Sequence, residues 1–124
     1  MSFQGCLEAI VEGGEGILAA CLVDAEGLPV AECRGPHSQA ALPDGELSTA
    51  AAEFGRALGQ IAKAAETVRG GNPLETVVAM ERFSLVFRPV GAGLTLVVAL
   101  KPDGSLGKAR YLMRQQLLAI REEI

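Results

Sequence analysis

This 124-residue sequence predicts an α+β fold in which an antiparallel sheet carries helices on both faces. Three observations point there. Ile17-Leu-Ala-Ala-Cys-Leu-Val23 and Leu94-Thr-Leu-Val-Val-Ala-Leu100 are short and almost wholly apolar, as strands covered on both sides are. Three strand-like stretches between Glu75 and Leu100 are joined by connections short enough to make hairpins. A long heptad-spaced stretch lies between Glu46 and Arg69 and reads as a helix. The expected order is α-β-β-α-β-β-β-α, as one domain over residues 1–124.

Each element has its own signals. Phe3, Leu7, Ile10 and Val11 recur at helical spacing, and Gly13-Gly14 ends that helix. Strand 17–23 then runs into Asp24-Ala-Glu-Gly27, turn chemistry in which Gly27 can take a positive φ. The return strand, Leu28 to Cys33, carries Pro29 near its start, which suggests an edge. Gly35, Pro36, Pro43 and Gly45 mark residues 34–45 as a loop. In the long helix Leu47, Ala51, Phe54, Leu58, Ile61, Ala65 and Val68 form an unbroken a/d stripe expected to fill the core-facing side. Asp44 can cap its start, and Gly70-Gly-Asn-Pro73 stops it. Strands at about 75–81, 83–90 and 94–100 follow. Pro102-Asp-Gly-Ser105 breaks the chain before a last helix from Leu106 to about Glu123. Strands 17–23 and 94–100, apolar throughout, should be neighbours at the centre of the sheet.

Composition narrows the function. Net charge is −4, with nine acids and two bases in residues 1–62 against six acids and nine bases in residues 63–124. An acidic chain with only four Phe and one Tyr is poorly suited to neutralising phosphates or stacking bases, so no nucleic-acid role is expected. Cys6, Cys21 and Cys33 are odd in number and lack a CxxC pair, so they read as small apolar core residues in a reducing compartment. No signal peptide or spanning segment is visible, and the expectation is a cytoplasmic protein without membrane insertion. His37 stands alone in a polar loop, and no ligand cluster accompanies it; catalytic residues, cofactors and metals are all expected to be absent. Gly13-Gly-Glu-Gly16 precedes a strand instead of following one, unlike a dinucleotide fingerprint. Gly104-Ser-Leu-Gly-Lys108 lacks the first glycine and the final Ser or Thr of a phosphate loop. It is read as a helix cap, with weak anion binding as the alternative.

Four phrases resemble the roadblock (dynein light chain) family, particularly its bacterial members. Gly16-Ile-Leu-Ala-Ala-Cys-Leu-Val-Asp-Ala-Glu-Gly-Leu-Pro-Val30 is similar to that family's first hairpin. Glu75-Thr-Val-Val-Ala-Met-Glu-Arg-Phe83 is similar to its third strand and turn. Leu94 to Leu100 resembles its last strand, and Lys101-Pro-Asp-Gly-Ser-Leu-Gly-Lys-Ala-Arg110 its passage into the final helix. The resemblance covers nearly the whole chain. It implies a three-layer α/β/α, profilin-like fold with strand order 2-1-5-4-3, the long helix on one face and the terminal helices on the other. It also implies homodimers joined through third strands and long helices, no catalytic activity, and control of a Ras-like GTPase in cell polarity or motility. MglB-like members activate GTP hydrolysis; MglC-like members are adaptors on another roadblock dimer. The resemblance assigns no arginine finger.

The residues argue for self-association on their own account. The third strand would be the outer member of its meander, and Thr76, Val77, Val78, Ala79 and Met80 hold no Pro or charge to discourage pairing. Beside the a/d stripe runs a small-residue stripe, Gly55, Gly59 and Ala62. Two glycines inside a helix cost about 1 kcal/mol each relative to Ala, so a closely approaching partner helix is the favoured reason, with a fit against the sheet as the alternative. Candidate residues for a GTPase or second roadblock protein are Glu53, Arg56, Gln60 and Lys63 on the long helix, and Lys108, Arg110 and Arg114 on the last. Charge on helix exteriors is usually just a solvated surface, and that is the favoured reading of each set. Rival readings are a small-ligand sensor and a structural tether on a motor or membrane scaffold.

Overall fold

The computed structural model describes residues 2–36 and 46–124; His37 and Asp44, with the capping role expected of it, lie outside that range. The described elements are α1 (Phe3–Glu12), β1 (Ile17–Val23), β2 (Pro29–Arg34), α2 (Glu46–Thr67), β3 (Thr76–Ala79), β4 (Ser84–Gly91), β5 (Leu94–Leu100) and α3 (Leu106–Glu123). The five strands form one sheet of order β2-β1-β5-β4-β3, with every neighbouring pair antiparallel. β1 and β5 are paired, as their apolar runs predict, and all seven residues of β1 are buried. Pro29 does sit on an edge strand.

Two cores lie on opposite faces. Ile17, Ala20 and Leu22 of β1 join Leu96, Val98 and Val86 beneath Leu7 and Ile10 of α1 and Met113 and Ile120 of α3. Leu18, Ala19, Cys21 and Val23 join Val97, Ala99, Leu85 and Phe87 beneath Leu47 and Ala51 of α2. Strand alternation assigns residues to these faces. It breaks once, where an irregularity in register between Ile17 and Ala19 leaves Leu18 and Ala19 in the same core. Cys6 and Cys21 are core residues and Cys33 is half-buried. Burial raises all three thiols, and Cys21 is pushed up to about 12 by desolvation and then by Glu32.

Local chemistry closes the connections. Ser2 and Ser105 cap α1 and α3, their hydroxyls accepting from the backbone N–H groups of Gly5 (3.1 Å) and Lys108 (3.0 Å). The turn after β1 is held by Asp24, whose Oδ1 accepts from the N–H groups of Glu26 (3.0 Å) and Leu28 (2.9 Å). Gly27 there has φ +82°, and a Cβ at that position would stand 3.0 Å from Ala52 Cα. The hairpin therefore rests on α2 through a residue that must be glycine on two counts.

The structure corrects two boundaries. α2 stops at Thr67, and the first left-handed residue after it is Arg69 (φ +59°), with Gly71 (φ +81°) two positions further on. Gly70 N–H reaches Ala65 O (2.8 Å) and Arg69 N–H reaches Glu66 O (3.0 Å), the paired bonds of a Schellman end. The third strand is only Thr76–Ala79; Met80 has left it and donates its N–H to Phe83 O (3.1 Å) across the turn.

Three outcomes follow. Gly27→Ala should destabilise the fold by about 1–3 kcal/mol in urea titrations, through the strained φ and the clash with α2. Arg69→Gly should stabilise it by up to about 1 kcal/mol in the same assay, because the left-handed turn then costs no Cβ strain. Cys21 is an acid whose folded pKa is raised, so its contribution is intact below pH 9 and lost as pH climbs from 9 toward about 12. Stability curves across that window should fall more steeply for the wild type than for Cys21→Ala.

Candidate functional site

The a/d stripe of α2 does not stay on the core. Leu47 and Ala51 are buried, and Phe54 and Leu58 are half-buried, Phe54 packing on Phe87 with ring centroids 5.9 Å apart. Beyond that point the stripe largely emerges: Ile61 is 43% exposed and Val68 76%, with Ala65 between them half-buried. The expectation that the whole stripe faces the core is therefore wrong for its second half. The reason is geometric, since 22 residues of helix run about 33 Å and leave their own sheet behind. Under the emerging half lies a cleft of about 310 Å³, lined by Leu58, Ala62, Pro73, Thr76, Phe87 and Pro89.

The small-residue stripe lies next to that bare half. Gly55, Gly59 and Ala62 are exposed, and a Cβ added at either glycine meets no atom of the described chain within 4 Å. Packing against the sheet therefore does not explain these glycines. β3 borders the same region. It pairs with β4 on one side only, through Thr76↔Phe87 to Ala79↔Ser84, and its other side is the margin of the sheet. Val77 and Ala79 are exposed, Thr76 and Val78 half-buried, and Met80 packs on the chain's own α2-side core. Leu74, just before the strand, is 75% exposed. The start of β3 and the Leu58–Ala62 turn of α2 thus border one cleft on the α2 face, whereas the register that sets Val77 opposite Val86 puts the bare side chains of Val77 and Ala79 on the α1/α3 face.

The charged candidates separate into three situations. Glu53 and Arg56 pair with each other across one turn at 3.2 Å, both largely exposed; such a pair is worth roughly 0–1 kcal/mol and gives way easily to a partner. Gln60 and Lys63 are exposed on the same outer side of α2. On α3, Lys108 lies over the Tyr111 ring (5.6 Å) and Arg114 is exposed, whereas Arg110 is committed within the chain. Its Nε and Nη2 both reach Glu75 Oε1, at 2.7 and 2.6 Å, and Arg88 Nη1 lies 3.7 Å from Glu75 Oε2. The hydrogen bond that Arg110 donates to Glu75 holds its guanidinium above the usual pKa, against desolvation and with a smaller contribution from the carboxylate's charge. This cluster pins the approach to β3 onto α3 and β4. Sequence reasoning missed Glu75, because nothing local links it to a residue 35 positions away.

Among the described residues no group of three or more His, Cys, Asp or Glu is placed to hold a metal ion, and no helix is long and apolar enough to cross a membrane. No protein-family model and no curated protein matches the chain. Solved structures do. MglC from Myxococcus xanthus is 34% identical over 100% of both chains, with a TM-score of 0.68. A roadblock/LC7 domain from Streptomyces avermitilis superposes with a TM-score of 0.81 over 99% of this chain and 98% of its own, at 17% identity. The gliding protein MglB from Thermus thermophilus gives 0.81 over 95% of this chain and 84% of its own, at 20% identity. The last two share the fold, while the first shares a third of its residues end to end. The sheet order, the placement of the helices and that full-length identity establish that this chain belongs to the roadblock family.

Proposed function

We propose that this chain is a non-enzymatic regulator that forms a homodimer and serves a Ras-like GTPase module of the polarity and motility kind. It does so directly or as an adaptor on another roadblock dimer. One observation carries the reading: the open margin of β3 and the emerging half of α2 border the same cleft. A two-fold copy satisfies both halves at once. β3 pairs antiparallel with its equivalent, and the two α2 helices cross at Gly55 and Gly59, where nothing stands in the way.

The full-length likeness to MglC and the description of the Thermus neighbour as a gliding protein support the cellular setting. In such a dimer Glu53, Arg56, Gln60 and Lys63 of both copies would flank the helix crossing as a polar platform, the candidate contact for the GTPase or second roadblock protein. Lys108 and Arg114 remain a second candidate, and Arg110 leaves that set because Glu75 already holds it.

Light scattering after gel filtration should give about 26 kDa, twice the 12.9 kDa chain, at tens of micromolar. Val77→Lys should return the mass to that of one chain by placing a charge on the paired edge. Gly55→Ala with Gly59→Ala should raise helix stability by about 1 kcal/mol per site if the chain acts alone, and instead weaken the dimer if two helices meet there. The wild-type dimer should co-elute with a Ras-like GTPase or a second roadblock protein from the same organism. A wild-type monomer, or a dimer indifferent to all three substitutions, would refute the self-association on which the reading depends.

A further inference from the structure

On the face opposite α2, the covering of the sheet stops short of its last strand. α1 lies over β2 and β1, and α3 over β5 and β4. Their shared core takes in Val86 and Val90 of β4 but no residue of β3. The β3 side chains on this face are Val77 and Ala79, both exposed, with Glu75 just before them. They form a bare apolar shelf beside α3. The side of α3 turned toward the shelf carries Arg110, Arg114, Leu117 and Arg121, spaced as one helical stripe. Contacts fix its direction: Arg110 reaches Glu75 at 2.6 Å, and Arg121 Nε reaches Val90 O at 3.3 Å. The other charges of α3 point elsewhere. Glu123 acts on the Cys6 thiol and so faces α1, Lys108 lies over the Tyr111 ring, and Glu122 shares the outermost line with Tyr111 and Leu118.

Glu75 is the acid within this strip, and its one charge offsets that of Arg110. Arg88, which stands opposite Glu75 on β4, and Arg114 and Arg121 keep their charge unopposed by a second carboxylate there. Glu81 and Arg82 in the adjoining turn cancel each other. A chain of net charge −4 thus lays a cationic wall along a bare apolar shelf. The shelf becomes a trough in the homodimer proposed above, on which the inference rests. Pairing β3 with its equivalent sets two shelves edge to edge, with an α3 beyond each. From the line between β5 and β4 to its mate is four strand spacings, about 19 Å. Helix axes pack about 8–10 Å apart, so the gap takes one further helix and no more. We infer that this trough is a docking site for a single amphipathic helix of another protein, its apolar stripe edged on both sides by Asp or Glu.

The stripe meets Val77 and Ala79 of both copies, and the acids on its two edges meet Arg114 and Arg121 of either α3. A helix cannot share the two-fold axis of its site, so one helix occupies each pair of chains. The trough is concave and one helix wide, which suits a rod and not the flat surface of an anionic bilayer. Its floor is small, so the contact sits near the lower size limit for a specific interface. Exposed arginines on its walls make it sensitive to salt.

The probe is a fluorescein-labelled synthetic helix of about six turns, with Leu and Ala on one stripe and Glu on both edges. Its anisotropy is read as the full chain is titrated in, beside a light-scattering mass for each variant. The expected result is binding at tens of micromolar, one helix per species of about 26 kDa, twice the 12.9 kDa chain. The same helix with Lys edges should not bind. Arg114→Glu should weaken the Glu-edged helix at least fivefold and admit the Lys-edged one, an exchange that misfolding cannot imitate. Lys63→Glu, on the α2 face, should change nothing. A dimer that binds neither helix, or both alike, overturns the inference and leaves the homodimer reading standing. One helix per chain, or loss through Lys63→Glu instead of Arg114→Glu, overturns it as well. So does Arg114-dependent sedimentation with phosphatidylglycerol-containing vesicles in the absence of helix binding, because it names a lipid surface. A chain of 12.9 kDa overturns the dimer and the trough together.

Discussion

Coverage of the sheet is the constraint from which the rest follows. β1 and β5 are apolar on both sides, so both faces need a lid. Five strands at about 4.8 Å span roughly 19 Å between the outer two, and a helix covers roughly 10 Å of width. Two helices therefore close a face up to its margin and one does not. On one face α1 and α3 lie together and the core beneath them is closed. On the other, α2 is alone among the described elements. It covers β1 and the inner parts of β5 and β4, and leaves the ground beside β3 open. The cleft below Leu58 and Ala62 is the width of sheet that a single helix cannot reach, and a second α2 is the size of element that would close it.

The same constraint gives the Glu75 cluster its place. β3 is four residues long and has a single neighbour in the sheet, so its own ladder holds it weakly. Glu75 ties its approach to α3 through Arg110 and to β4 through Arg88, with the carboxylate only 18% exposed. A half-buried, two-pronged arginine contact loses less to solvent than an open surface pair, and its planar fork fixes orientation as well as distance. The edge strand is thereby held in line, which an interface made of backbone hydrogen bonds requires.

How much of this could be read from the chain depended on the range over which its cause acts. The pairing of β1 with β5 was readable, because burial on both sides writes itself as an apolar run in each strand. Gly27 was readable too, since the turn before β2 needs a positive φ whatever lies around it. The heptad stripe of α2 marked the helix but misreported its surroundings. Ile61 and Val68 carry the same spacing as Leu47 and Ala51, and spacing records that a face is meant to be covered without recording by which chain. Arg69 was missed because glycines immediately follow it, and the Schellman bonds place the left-handed residue one position before them. The Glu75–Arg110 contact has no local trace at all.

The two faces also differ in what would hold a partner there, and the order of the sequence explains why. Acids gather in the first half of the chain and bases in the second, −7 against +3 by count. The fold then lays the first helix beside the last, which turns a sequential imbalance into a lateral one across a single layer. On the α2 face the bare atoms are aliphatic side chains and backbone edge groups, whose burial is insensitive to salt and draws on shape. On the α1/α3 face many of the exposed groups are charged, among them Glu8, Glu12, Lys108, Arg114 and Glu122, and charge interactions are screened over a Debye length of about 8 Å at physiological salt. The two faces are thus separated by a closed sheet, and each answers to a different solvent variable, apolar burial on the α2 side and ionic strength on the α1/α3 side.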